Sequence, residues 1–181
     1  ACMLAISPGC TEHDNLPLKD VRPARVTGRP EIFRPMPRLK KSFHIKGRDF
    51  IRAGEASINV QNLLKSMDFD PRLIRRVAIC GYESEMNVVM HGGDGSLSLE
   101  VDTDRLILEI SDDGPGIEDI ELAMQAGYST ANDDHREMGF GAGMGLPNMK
   151  KNSDQLHIAS NKGEGTVVRM SFFLPDGEKT H

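Results

Sequence analysis

The stretch "DPRLIRRVAICGYESEMNVVMHGGDG", residues 70 to 95, limits the fold more than any other feature of the chain. Asp70 ahead of Pro71 is a helix start: a capping side chain, then a residue whose missing N–H costs nothing in a first turn. Apolar residues recur at helical spacing as far as His91, where the glycines of "GGDG" stop the helix. The period then changes from about 3.6 to 2. In "SLSLEVDTDRLILEIS" Leu97, Leu99 and Val101 alternate with polar residues, a short polar turn follows, and Leu106, Leu108 and Ile110 alternate in turn. A long helix with an apolar stripe, followed by a hairpin with an apolar face, buries both surfaces by laying one on the other.

The remaining elements extend this layout. "KSFHIKG" (41–47) alternates as a half-buried strand through Phe43 and Ile45, and "RAGEASINVQNLLKSM" places Ala56, Val60, Leu63, Leu64 and Met67 at helical spacing. A short helix is expected near 118–126 and another over about 146–153, with closing strands at "QLHIAS" and "TVVRMSFFL". Helix-rich first and strand-rich later, the order is unlike repeated βαβ alternation. The expected fold is α+β: a two-layer α/β sandwich with a mixed, mostly antiparallel sheet and helices on one face. Residues 1–38 differ, with Pro8, Pro17, Pro23, Pro30, Pro35 and Pro37 among polar residues, and read as an extended, poorly ordered arm. Such an arm could be a linker or a remnant of an upstream domain, and "MPRLKK" from Met36 would make a start. The folded domain is expected over 39–176, with a tail at 177–181.

With 38% hydrophobic and 27% charged residues and no tryptophan, the composition is that of a soluble globular protein. A net charge of -5 argues against a direct nucleic-acid partner. Cys2, Cys10 and Cys80 form neither an even framework nor a metal-ligand spacing, which points to a reducing compartment, and Cys80 reads as a small core residue. No stretch reaches the roughly 18 apolar residues of a membrane span, and "ACMLAIS" lacks the basic start of a signal peptide. A cytoplasmic protein with no membrane partner is expected.

Three constellations carry chemistry. Glu83, Asn87 and His91 lie along one stripe of the long helix. A carboxylate there could orient or deprotonate a hydroxyl, and an amide oxygen suits magnesium; the triplet also fits a solvent-facing polar stripe. In "SDDGPGI", Asp112 at a strand end, followed by Gly114 and Gly116, could accept a hydrogen bond from an amino group while a planar ligand presses on the backbone. Asp, Gly and Pro are equally the material of an ordinary turn. In "REMGFGAGMGLPNMKK", glycines at 139, 141, 143 and 145 run into a helix whose first turn can bind an anion. The alternative is a mobile surface loop, and no Gly-Lys-Ser/Thr follows to make it a Walker loop.

Together and in this order, Glu-x-x-x-Asn, Asp-x-Gly-x-Gly, Gly-x-Gly-x-Gly-Leu and "GEGT" with Thr166 resemble the four blocks of the Bergerat ATP-binding fold of gyrase, Hsp90, histidine kinases and MutL. The resemblance covers about residues 40–174. "YESEMNVVMHG" and "GMGLPNMKKNSD" are similar to the anti-sigma-factor serine/threonine kinases of bacterial partner-switching systems.

That resemblance implies the following roles. Asn87 would coordinate Mg²⁺, and Glu83 would be the catalytic base or water-orienting carboxylate. Asp112 would read the adenine amino group, helped by Thr166 through a water, with Gly114 and Gly116 shaping the pocket. Gly141, Gly143, Met144, Gly145 and Leu146 would offer main-chain donors to the β- and γ-phosphates, and residues about 126–142 would form an ATP lid. His91 gains no role. The implied activity is transfer of the ATP γ-phosphoryl group to a Ser/Thr of an antagonist (anti-anti-sigma, STAS-like) protein, with ATP and Mg²⁺ as cofactors, a sigma factor as a further partner, and a homodimer as the assembly. The alternatives are a nucleotide-gated module that sequesters a regulator with little chemistry, and simple ATP hydrolysis.

Overall fold

The computed structural model describes residues 39–91, 93–131 and 141–175. The proline-rich arm and the tail expected from the sequence lie outside them. The elements run β1 (Leu39–Ile45), α1 (Glu55–Ser66), α2 (Pro71–His91), β2 (Gly95–Val101), β3 (Arg105–Asp112), α3 (Ile120–Ala123), α4 (Gly145–Asn152), β4 (Gln155–Ser160) and β5 (Thr166–Phe173).

Five strands form one sheet in the order β1-β2-β3-β5-β4, and every pairing is antiparallel. The register explains the alternation in the sequence. Leu97 faces Ile110, Leu99 faces Leu108 and Val101 faces Leu106, while Met170 and Val168 of β5 sit opposite Leu108 and Ile110. All these side chains therefore project from one face, and Leu97, Leu99, Leu106, Leu108, Met170 and Phe172 are fully buried there. Each contributes about 1.5–3 kcal/mol of transfer free energy.

Helix α2 crosses this face against β1, β2, β3 and β5, with α1 beside it over β1 and β2 and α4 on its other side over β4. Its apolar stripe, Leu73, Val77, Cys80 and Val88 among others, is buried. Arg76 holds the far edge: its guanidinium donates to Asn152 O (2.9 Å) and Asp154 Oδ1 (2.6 Å) and lies 5.5 Å over the Phe172 ring. It thereby satisfies a carbonyl at the C-terminus of α4. The opposite face of the sheet is polar, with Arg169 bridging Glu109 (2.6 Å) and Glu100 (3.7 Å). Burial pushes the Cys80 thiol up to about 12, so the thiolate is absent at neutral pH and this cysteine packs as an apolar residue.

Three boundaries differ from the sequence reading, each for a local reason. β1 runs 39–45 rather than 41–47, because Leu39 already pairs with Val101 while Arg48 turns the chain at φ 61. α1 starts at Glu55 because Gly54 stands in the left-handed region at φ 98. α3 is confined to Ile120–Ala123, capped by Asp119, whose carboxylate accepts from Leu122 N at 2.9 Å. No helix of the described residues is long and apolar enough to cross a membrane.

Candidate active site

Glu83 and Asn87 stand one turn apart on α2, each partly buried. Glu83 Oε1 accepts from Asn148 Nδ2 at 2.6 Å, which fixes the carboxylate from α4. Gly145 opens α4 against both residues. A Cβ there would lie 3.3 Å from Asn87 Oδ1 and 3.5 Å from Glu83 Oε2, which puts the start of the helix within contact range of both side chains. The residue before it, Met144, makes no side-chain cap bond, and no side chain among the described residues accepts from the first-turn N–H groups of α4. A carboxylate, an amide oxygen and the positive end of a helix thus converge. The Asn87 carboxamide makes no hydrogen bond among the described residues and keeps some solvent access.

Asp112 closes β3 directly opposite Thr166, the first residue of β5. Its Oδ1 accepts from Gly114 N at 2.9 Å in an Asx turn. Ser160 ties this corner together. Its hydroxyl accepts from Ile117 N (2.7 Å), donates to Gly165 O (2.9 Å) and lies 2.9 Å from Thr166 Oγ1. Gly116 (φ 73) and Gly165 (φ 83) are obligatory here, since a Cβ would collide with Asn161 O and Asp112 O respectively. Burial pushes the Asp112 carboxyl above the ordinary carboxylate range, while the N–H groups of Gly114 and Thr166 pull the other way. His91 on α2 pulls it down as well, though least of all.

The glycine stretch divides into parts. Gly145 meets Glu83 and Asn87, but Gly141 and Gly143 are packed against residues 127–131. A Cβ on Gly141 would collide with Ala131 Cβ, one on Gly143 would lie 2.5 Å from Tyr128 O, and Gly127 N donates to Gly143 O at 3.0 Å. Leu146 turns its side chain into the core and Met144 is exposed. Residues 132–140, with Gly139 and most of the expected lid, lie outside the described residues. No cluster of three or more His, Cys, Asp or Glu among the described residues could hold a metal. The Asn87 oxygen is an oxygen donor of the kind magnesium takes when phosphate and water complete its shell.

Residues 81–177 match the family of histidine kinase-, DNA gyrase B- and HSP90-like ATPases. The chain belongs to this family. The matched segment contains Glu83, Asn87, Asp112, the glycine stretch and Thr166, and leaves out β1 and α1. Among curated proteins the chain is similar to an Anti-sigma F factor of Thermoanaerobacter sp. (strain X514), at 33% identity over 97 residues, 51% of this chain and 64% of that protein. It is also similar to Serine/threonine-protein kinase RsbT of Bacillus subtilis (strain 168), at 31% over 113 residues, 60% of this chain and 79% of that protein. An Anti-sigma F factor of Clostridium acetobutylicum is 29% identical over 120 residues, 64% of this chain and 80% of that protein. The chain therefore spans just under two thirds of the Thermoanaerobacter relative.

Two residues of this candidate site receive no role from the sequence. Asn148 sits in the first turns of α4, where asparagine is a poor helix former, and that misfit is the one signal of a side chain held for another purpose. Ser160 ends a strand ahead of "NKGEGT" and looks like turn material until its three partners are seen together.

Proposed function

We propose that the chain is an ATP- and magnesium-dependent serine/threonine protein kinase of the anti-sigma regulatory type, acting on a hydroxyl of a small antagonist protein. The observation that carries this reading is the approach of Gly145 to both Glu83 and Asn87, which puts a basic carboxylate and a hard oxygen donor beside a helix N-terminus. Magnesium held by Asn87 would neutralise phosphate charge. The acceptor hydroxyl oxygen forms the new bond to Pγ, and the bond from Pγ to the β,γ-bridging oxygen breaks, leaving its electron pair on ADP. The hydroxyl proton passes to Glu83. The rate rests on in-line positioning and on charge neutralisation by the α4 N-terminus.

Asp112 is the adenine reader in this scheme, accepting from the exocyclic amino group, with Thr166 and Ser160 holding the corner. Asp112→Asn exchanges an acceptor for an amide, and ATP affinity falls at least about tenfold, read by calorimetry. The pH dependence has a definite sign. Because the folded carboxyl is raised and only its ionised form accepts from the amino group, affinity is full well above the ordinary carboxylate range and is lost as pH falls through the raised value. Without nucleotide, the same shift makes the fold bind this proton more tightly than the unfolded chain, so Asp112 contributes stability below about pH 3.9 that is lost as pH rises through the folded value.

The deciding experiment incubates the full chain with γ-labelled ATP and candidate antagonist proteins. Label on a partner serine or threonine supports the kinase. Since relatives are named Anti-sigma F factor, sequestration of a sigma factor is the second reading, and nucleotide-dependent co-elution without label would favour it. Steady phosphate release with neither would leave ATP hydrolysis.

A further inference from the structure

We infer that the groove between α1 and α2 receives the acceptor segment of the partner, and that this segment is acidic and aliphatic. The inference rests on the kinase reading above. The groove encloses about 530 Å³, with Lys65 on the α1 side and Ile74, Arg75, Ala78, Ile79 and Tyr82 along α2, and Glu83 stands at one end of it. The carboxylate assigned to the acceptor hydroxyl is therefore also the wall of an open cavity on the outer side of the helix layer.

Shape and charge define the occupant. Ile74, Ala78 and Ile79 make an apolar floor, and Tyr82 adds an exposed ring at the Glu83 end. From Arg75 to Glu83 is eight residues of helix, roughly 12 Å. An extended segment covers that distance in three to four residues, at about 3.3 Å each. Within α2, Arg72 and Arg76 hold carboxylates of this chain, Asp70 at 2.9 Å and Asp154 at 2.6 Å. Among the described residues Arg75 forms no ion pair, and the Lys65 ammonium bonds only to Gln61 Oε1, at 3.4 Å. Two exposed cations over an apolar floor fit a partner that brings carboxylates three or four positions from its serine or threonine and aliphatic residues between. The chain's own arm has the wrong sign, since between Lys19 and Lys41 its only acids are Asp20 and Glu31.

The test uses the full chain, a non-hydrolysable ATP analogue with magnesium, and two labelled serine peptides. Both carry Leu or Ile beside the serine; one has Asp and Glu three and four positions away, the other Lys at those positions. Fluorescence anisotropy is expected to favour the acidic peptide about tenfold, and the double variant Lys65→Glu/Arg75→Glu, both at exposed positions, is expected to reverse the preference with nucleotide affinity unchanged. Equal binding of the two peptides, no binding of either, or a preference untouched by the reversal would overturn the groove assignment. So would a change in sedimentation from dimer to monomer in the double variant without a change in peptide preference, which would give the groove to a second copy. A parallel run with γ-labelled ATP separates the two readings: label transferred without charge preference removes the groove and keeps the kinase, whereas charge-selective binding without transfer removes the kinase.

Discussion

Glu83→Ala retains ATP binding within about threefold and lowers phosphoryl transfer to the partner by roughly 10² to 10⁴, the range that general-base catalysis supplies. The split between binding and rate follows from geometry. Glu83 Oε1 is already engaged by Asn148 at 2.6 Å, and Oε2 faces the backbone of Gly145. Neither contact holds adenine, and a carboxylate beside phosphate repels it, so deletion costs the ground state little. What is lost is the group that takes the hydroxyl proton as the new bond forms. Calorimetry gives the first quantity and single-turnover transfer from labelled ATP the second. Undiminished transfer would remove Glu83 from the mechanism, and loss of nucleotide binding would make it a structural residue of the glycine turn.

The parts of the site that were legible in the sequence are those where one residue type has one local reason. Asp112 with Gly114 spells its own turn, Glu83 and Asn87 share a helix stripe, and Leu97 to Ile110 alternate because one face is buried. Contacts between segments far apart in the chain left no such mark. Asn148 reaches Glu83 across 65 residues, and Ser160 reaches Ile117 across 43. The glycines show the same limit. From sequence, Gly141, Gly143 and Gly145 look alike, yet the first two are required by packing on residues 127–131, whereas a Cβ on the third would meet Glu83 at ordinary contact and crowd Asn87 only slightly. Glycine states that a side chain does not fit, without saying what occupies the space.

The residue least visible beforehand governs the largest stability effect. Glu85, two positions from Glu83 and turned to the other side of α2, is 2% exposed and pairs with no cation among the described residues. Its carboxylate instead accepts three backbone N–H groups at the start of α1: Gly54 (3.0 Å), Ala56 (3.1 Å) and Ser57 (2.8 Å). A helix start leaves such donors without partners, and here an acid from a neighbouring helix caps α1 in place of a local serine or aspartate. Hydrogen bonds to a charged group contribute about 1.5–3 kcal/mol each, and the loss of the acceptor leaves buried donors stranded. Allowing for a water that enters the vacated space, Glu85→Ala is expected to cost about 3–5 kcal/mol, seen as a fall in Tm of about 10 °C or more. Glu85→Gln keeps one acceptor oxygen but turns an NH₂ towards an N–H, and should lose roughly half as much. Glu118→Ala supplies the contrast, because its pair with Lys162 at 3.0 Å is solvent-exposed on both sides and its loss should leave the melting temperature close to that of the wild type. A Glu85→Ala variant that melts with the wild type would show that α1 does not depend on this cap. A large loss would identify the junction of α1 and α2, and with it the wall of the groove that ends at Glu83, as held by a buried carboxylate.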